Sequence, residues 1–314
     1  MFLSSATLQR RLPVIKWVVP LFLWLSVTAH AEPLVFMADL NGRYGSVDYH
    51  PRITEAVSKA IEMRPAAVVI AGDMIAGQAR PPLTAAQLQR MWASFDRTVH
   101  RPLRDAGIPV LAVPGNHDAS IYPSFALERD EFESYWQRYE PGALHGESNF
   151  PWYFALDAGA FRLVGLDVTA PGPLPAAQET FLRQQRVAAQ NEQQTLVVIT
   201  HLPRYPLAEG RETETFEASS PGTGEIWVSG HHHAFFDGVT SAGVRHIGVP
   251  ALGGNRRLWL GTHHKSPFGF VTIAADGATE LRPWPGYTAS SKHFGPKNIG
   301  PLRNTAQTTP TLAP

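Results

Sequence analysis

The chain has 314 residues, 44% of them hydrophobic, which is ample for one large core. Its 27 basic residues balance 27 acidic ones, arguing against a nucleic-acid scaffold or a polybasic membrane binder. The absence of cysteine excludes disulfides, zinc–thiolate sites and thiol nucleophiles.

At the N-terminus, Arg10, Arg11 and Lys16 precede an uncharged apolar run from Trp17 to Thr28, and Ala29-His30-Ala31 supplies a small-x-small cleavage site before Glu32. This pattern predicts a signal peptide over residues 1–31, no stable membrane span after cleavage, and a periplasmic or secreted mature chain. The Arg10-Arg11 pair hints at twin-arginine export, a consensus that Pro13 and Val14 fit poorly.

Beyond the leader, short apolar runs closed by Gly or Pro read as buried strands: Leu34–Ala38, Ala67–Ala71, Ile108–Val113, Leu196–Thr200 and Glu225–Ser229. Between the third and fourth lie Trp152–Leu156 and Phe161–Asp167, joined by a hairpin turn at Asp157–Ala160. Val244–Val249, Phe268–Ala274 and Thr279–Arg282 follow the fifth, the last two flanking an Asp276-Gly277 turn. Helical spacing marks Ile53–Met63, Leu83–Ala106 ending at Gly107, Glu131–Tyr139 and Pro175–Gln190. Alternating β and α units in the first half and hairpins in the second predict a mixed sheet or two packed sheets. One domain is expected over 32–284, followed by a loosely ordered tail over 285–314 rich in Pro, Thr, Ser and Gly.

Five of the predicted strands end on potential metal ligands: Asp39-Leu40-Asn41, Gly72-Asp73, Gly115-Asn116-His117-Asp118, His201 and Gly230-His231-His232-His233. Open α/β sheets assemble sites where strands end at their carboxyl edge, so these side chains should converge. Asp, Asn and His together suit Zn, Fe or Mn. Two cations a few ångströms apart can clamp the attacking and leaving oxygens of an in-line phosphoryl displacement, with a carboxylate bridging them.

In this order the motifs resemble those of the calcineurin-like metallophosphoesterases, whose pattern is Asp-x-His, Gly-Asp, Gly-Asn-His-Asp/Glu, His and Gly-His-x-His. The resemblance spans about Leu34 to Thr240. It implies an α/β fold, a four-layer α/β/β/α sandwich of two mixed sheets with the metal site at the strand ends. It also implies a phosphomonoester or phosphodiester hydrolase that attacks with a metal-bridging hydroxide and uses two divalent ions, Mn, Fe or Zn. Asp73 would bridge the ions, Asn116, His201 and His231 would complete one site, and Asp39, Asn41 and His233 would form the other. His117 would lie near the leaving-group oxygen, with Asp118 orienting its ring. His232 has no ligand role in the family.

Position 41 departs from the family, which has His where this chain has Asn. Asn offers one hard oxygen and is a poorer ligand than imidazole for Zn or Fe, so the Asp39 site should be weaker, more labile or shifted toward Mn or Mg. Three outcomes follow: a working two-metal site, one tight and one exchangeable metal, or a catalytically weak phosphate-ligand-binding protein on the same fold. A metal-dependent nuclease is a further competitor, opposed by the neutral charge. Gly72-Asp73-Met74-Ile75-Ala76 lacks the tyrosine ligand that purple acid phosphatases carry shortly after Gly-Asp. Arg43, Tyr44, Gln78, Asn255 and Arg256 are candidate contacts for a small phosphate-ester substrate, and His263 and His264 are remoter candidates for metal.

Overall fold

The computed structural model describes residues 32–204, 225–239, 244–256 and 266–284. The leader, the tail, and His263 and His264 lie outside the described residues. In chain order the elements begin with β1 (Leu34–Met37), α1 (Pro51–Met63), β2 (Ala67–Ile70), α2 (Ala85–Phe95), α3 (Arg101–Asp105), β3 (Val110–Ala112), α4 (Asn116–Ala119) and α5 (Ala126–Trp136). They continue with β4 (Phe154–Ala158), β5 (Phe161–Gly165), α6 (Ala176–Asn191), β6 (Thr195–Thr200), β7 (Ile226–Ser229), β8 (Phe236–Val239), β9 (Arg245–Gly248), β10 (Phe268–Ile273) and β11 (Thr279–Trp284).

Two mixed sheets form, ordered β11-β10-β1-β2-β3 and β4-β5-β6-β7-β9-β8. β1, β2 and β3 are mutually parallel, as are β5, β6, β7 and β9. Strand alternation sorts the side chains into layers. Leu34, Phe36, Val69 and Leu111 face inward against Phe154, Leu163, Val197, Ile199 and Val228 of the second sheet. Val35, Met37, Val68 and Ile70 face outward onto helical residues such as Ile53, Val57, Leu88, Phe95 and Phe132. On the far side, Val164, Val198 and Trp227 pack against Phe181 and Leu182 of α6. Each such fully buried side chain contributes about 1.5–3 kcal/mol relative to exposure. The result is the four-layer α/β/β/α sandwich, with the carboxyl ends of β1–β3 meeting those of β6 and β7.

The local signals account for the helices. Thr84 and Gln87 form a capping box that starts α2, and Gly107 ends the α2–α3 run in the left-handed region at φ 76°. The single helix expected over Leu83–Ala106 is interrupted by a π-turn at Asp96–His100, where Asp96 accepts from Arg101 at 3.0 Å and pairs with Arg104 at 3.3 Å. The helix expected at Glu131 starts earlier, at Ala126, and its last turn is a 3₁₀ segment, Gln137–Tyr139. Strand β8 is unforeseen: it is four residues long, contains Gly238, and pairs only along the edge with β9.

Candidate metal centre

Backbone contacts between strand ends build the site before any side chain does. Asp39 N–H donates to Gly72 O (3.1 Å), and the N–H groups of Leu40 and Asn41 donate to Asp73 O (2.8 and 3.2 Å). Asp39 O in turn accepts from Gly253 and Gly254 (2.7 and 3.1 Å). Asp39, Asp73, His231 and His233 all occupy the left-handed region, at φ 52°, 56°, 64° and 52°. Non-glycine residues held there cost of order 1–3 kcal/mol each and cluster at functional sites.

The side chains converge. Oxygen and nitrogen ligand atoms of Asp39, Asp73 and His201 all lie within 4.8 Å of one another, and all three residues are buried. His201 Nε2 is 3.2 Å from Asp73 Oδ2 and 2.9 Å from Asn116 Oδ1, which also lies 2.9 Å from His231 Nδ1. Beside this group, His233 Nε2 is 3.1 Å from Asp39 Oδ1.

The hydrogen bonds on the outer side of these rings decide what the inner atoms offer. His201 Nδ1–H donates to Ala71 O (2.8 Å), and His233 Nδ1–H donates to Asn255 O (2.5 Å). In its neutral form each ring would therefore present a bare Nε2 toward carboxylate and amide oxygens, which are acceptors too. Such inward-facing acceptors fit a divalent cation, and a histidine anchored through its other nitrogen is the usual arrangement at metal sites. Asn116 Nδ2 donates to Gln78 Oε1 (3.0 Å), which turns Oδ1 inward.

The electrostatics favour positive charge. Burial opposes protonation of His201, yet the Asp73 carboxylate lifts its pKa to about 9. Burial would raise Asp73, but His201 and His117 hold it below the ordinary carboxylate range. Burial, reinforced by the charge on His201, holds His231 well below the ordinary histidine value.

His117 sits at the edge of this group, with Nε2 3.8 Å from Asp73 Oδ2 and its backbone N–H on Asp73 Oδ1 (2.8 Å). Its Nδ1–H donates to Gly77 O (3.0 Å). The expectation that Asp118 orients this ring is corrected here. Asp118 accepts from the N–H groups of Ile75 (2.7 Å) and Gly115 (3.1 Å), because its place in the first turn of α4 aims it at backbone donors. Burial and the nearby Asp73 charge raise its pKa.

The other candidates are placed less centrally. Asn41 is buried and tied to Asp73 through its own N–H. Arg43 is exposed. Tyr44 is 63% exposed and lays its ring 5.0 Å from that of His117. Gln78 contacts Asn116 through its side chain, Asn255 serves His233 through its carbonyl, and the Arg256 guanidinium lies 5.4 Å from the Phe268 ring centroid. The His232 ring stands 5.6 Å from that of His231. Sequence reasoning missed the carbonyls of Ala71, Gly77 and Asn255, which carry no side-chain signature, and Glu128 on α5, whose Oε1 accepts from Gln78 N–H (2.7 Å).

A family profile described as calcineurin-like phosphoesterase matches residues 32–235. No curated protein matches the chain. Among solved structures, the fold is similar to that of a purple acid phosphatase from yellow lupin (Lupinus luteus), with TM-score 0.60 and 17% identity over 82% of this chain and 52% of that one. The chain thus spans about half the length of the lupin protein. It is also similar to a dimetal phosphatase from Danio rerio, with TM-score 0.55 and 15% identity over 81% of this chain and 96% of that one. At these identities the likeness establishes the fold.

Proposed function

Because the chain belongs to the calcineurin-like phosphoesterase family, we propose that it is a metal-dependent hydrolase of a small phosphomonoester or phosphodiester. The observation that carries this reading is the convergence of Asp73 Oδ2, Asn116 Oδ1, His201 Nε2 and His231 Nδ1, with Asp39 and His233 beside them. Asp73, Asn116, His201 and His231 would hold one divalent cation, Mn, Fe or Zn. Asp39, His233 and Asn41 would hold a second, more weakly, with Asp73 shared. When bound, the two cations would polarise the phosphoryl oxygens and bring the pKa of water toward neutrality.

The chain's own residues do the rest. His117 is held through Nδ1 by Gly77 O, so its Nε2 is the atom that can pass a proton to a leaving oxygen. Asp118 holds the Gly115–Asn116 turn against the Asp73 loop. Tyr44, exposed beside His117, and Arg43, exposed next to Tyr44 in the chain, would meet the substituent of the ester. We further propose that the mature chain acts in the periplasm or is secreted, on the leader pattern of residues 1–31. Among the described residues, no helix is long and apolar enough to cross a membrane.

Metal analysis combined with hydrolysis of paired aryl phosphomonoester and phosphodiester substrates tests the reading. Two bound metals with metal-dependent turnover of one substrate are expected. Protein that binds metal and phosphate but turns over neither substrate with Mn, Zn or Fe would replace this reading with that of a phosphate-ligand-binding protein.

A further inference from the structure

Asn116 and His117 are aimed by one corner of the chain, Gly77–Gln78. Gly77 O accepts from His117 Nδ1–H at 3.0 Å, and Gln78 Oε1 accepts from Asn116 Nδ2 at 3.0 Å. The corner is strained and tight. Gln78 is left-handed at φ 58°. A Cβ on Gly77 would stand 2.1 Å from His117 O and 2.9 Å from Glu128 Oε2. Gln78 does not hold this backbone by its own preference, so contacts from outside must hold the corner.

Glu128 does so. It reaches across from α5, is 2% exposed, and accepts the Gln78 N–H through Oε1 at 2.7 Å. Its Oε2 is buried with no hydrogen-bond partner among the described residues. Burying a carboxylate with half its acceptor capacity unused is costly, and a packing role alone would be filled better by an apolar side chain.

We propose that Glu128 is a positioning residue of the metal centre, acting through the Gly77–Gln78 corner to turn Asn116 Oδ1 toward the cation site and to set the His117 ring. This rests on the reading of the cluster as a phosphoesterase metal centre. The chain of contacts is Glu128 Oε1, Gln78 N–H, Gln78 Oε1, Asn116 Nδ2. Loss of the first contact frees the Gln78 backbone, and the Asn116 amide then loses the partner that distinguishes its oxygen from its nitrogen. Partners of this outer kind typically alter metal affinity by about 10–100-fold.

The test uses the full chain and three variants, Glu128→Gln, Glu128→Leu and Gln78→Gly. Affinity for Mn²⁺ and Zn²⁺ is measured by chelator competition, alongside thermal stability and kcat and KM for an aryl phosphate ester. Glu128→Leu is expected to weaken the tighter metal by about 10–100-fold and to lower kcat more than it changes KM. Glu128→Gln keeps an acceptor oxygen and should recover most of that loss. Gln78→Gly relieves the left-handed backbone, so it should melt no lower than the parent while still weakening metal binding, a separation that a purely structural role would not produce. It also serves if Glu128→Leu does not fold. Parental metal affinity in Gln78→Gly, or a Glu128→Gln variant as impaired as Glu128→Leu, would overturn the proposal. A parent that hydrolyses neither ester class yet shows this metal dependence overturns the phosphoesterase reading alone, whereas an active parent with unaffected variants overturns the positioning role alone.

Discussion

Gly72→Ala tests whether backbone close approach, as well as ligand identity, makes the centre. Gly72 has φ 84°, and a Cβ there would lie 2.4 Å from His201 Nδ1, 2.6 Å from His201 Cγ and 2.8 Å from Gly115 Cα. An ordinary contact is about 3.5 Å, so the imidazole would have to withdraw by roughly 1 Å. His201 is fully buried and its Nδ1 is bonded to Ala71 O at 2.8 Å, so withdrawal opens that bond and draws Nε2 off Asp73 and Asn116. The left-handed backbone adds about 1–2 kcal/mol for a residue with Cβ, and overpacking adds about 1–3 kcal/mol, giving a destabilisation of about 2–5 kcal/mol. A misplacement of this size costs about 10²-fold in rate. Metal content, thermal unfolding and aryl-ester hydrolysis of the purified variant measure all three effects. A Gly72→Ala protein with parental metal content, stability and kcat would refute the reasoning.

Asp73→Asn keeps the shape but removes the charge shared by both proposed cation sites, so metal-dependent hydrolysis should fall by more than the about 100-fold seen for outer-shell partners, with circular dichroism unchanged; full activity would sink the two-metal reading. Asn41→His should tighten the weaker metal in competition titrations, imidazole being the better ligand for Zn or Fe, and unchanged stoichiometry and affinity would show that position 41 is not a ligand. His100, remote from the centre, tests stability against pH. Its Nδ1 is 2.6 Å from Tyr135 Oη, and burial, followed by Arg104 and opposed by Asp96, holds it at about 4 against 6.5 in the unfolded chain. Between those values the unfolded chain binds a proton that the folded chain refuses, so this group lowers stability as pH falls from 6.5 to 4. For this ring, packed among Phe95, Trp136 and Tyr139, the separation corresponds to about 3 kcal/mol across the window. His100→Phe should therefore lose less stability than the parent across this window in denaturant titrations, and parallel curves would refute the assignment.

The motifs were legible because their offset is local. Asp39, Asp73, Asn116, His201 and His231 each follow directly on a short apolar run, and parallel pairing of β1–β3 and of β6–β7 carries every such run to the same edge. What could not be read was aim. The atoms that fix His201, His117 and His233 are carbonyls of Ala71, Gly77 and Asn255, and any residue type could supply them. The left-handed backbone at Asp39, Asp73, His231 and His233 is likewise unreadable, since Asp and His are enriched in that region yet adopt it in only a minority of cases; tertiary contacts select it here. Asp118 shows the cost of reading adjacency as contact: it follows His117 in the chain, yet it is turned to the Gly115 and Ile75 amides. Glu128 shows the converse, being distant in sequence and tied to the Gly77–Gln78 corner in space. Ligand identity is thus written in short motifs, whereas ligand direction is written in the loops and helix that press on them. On the proposed role of Glu128, two chains with the same motif set would differ in metal affinity through Gly77, Gln78 and Glu128 alone, without a change at any proposed ligand.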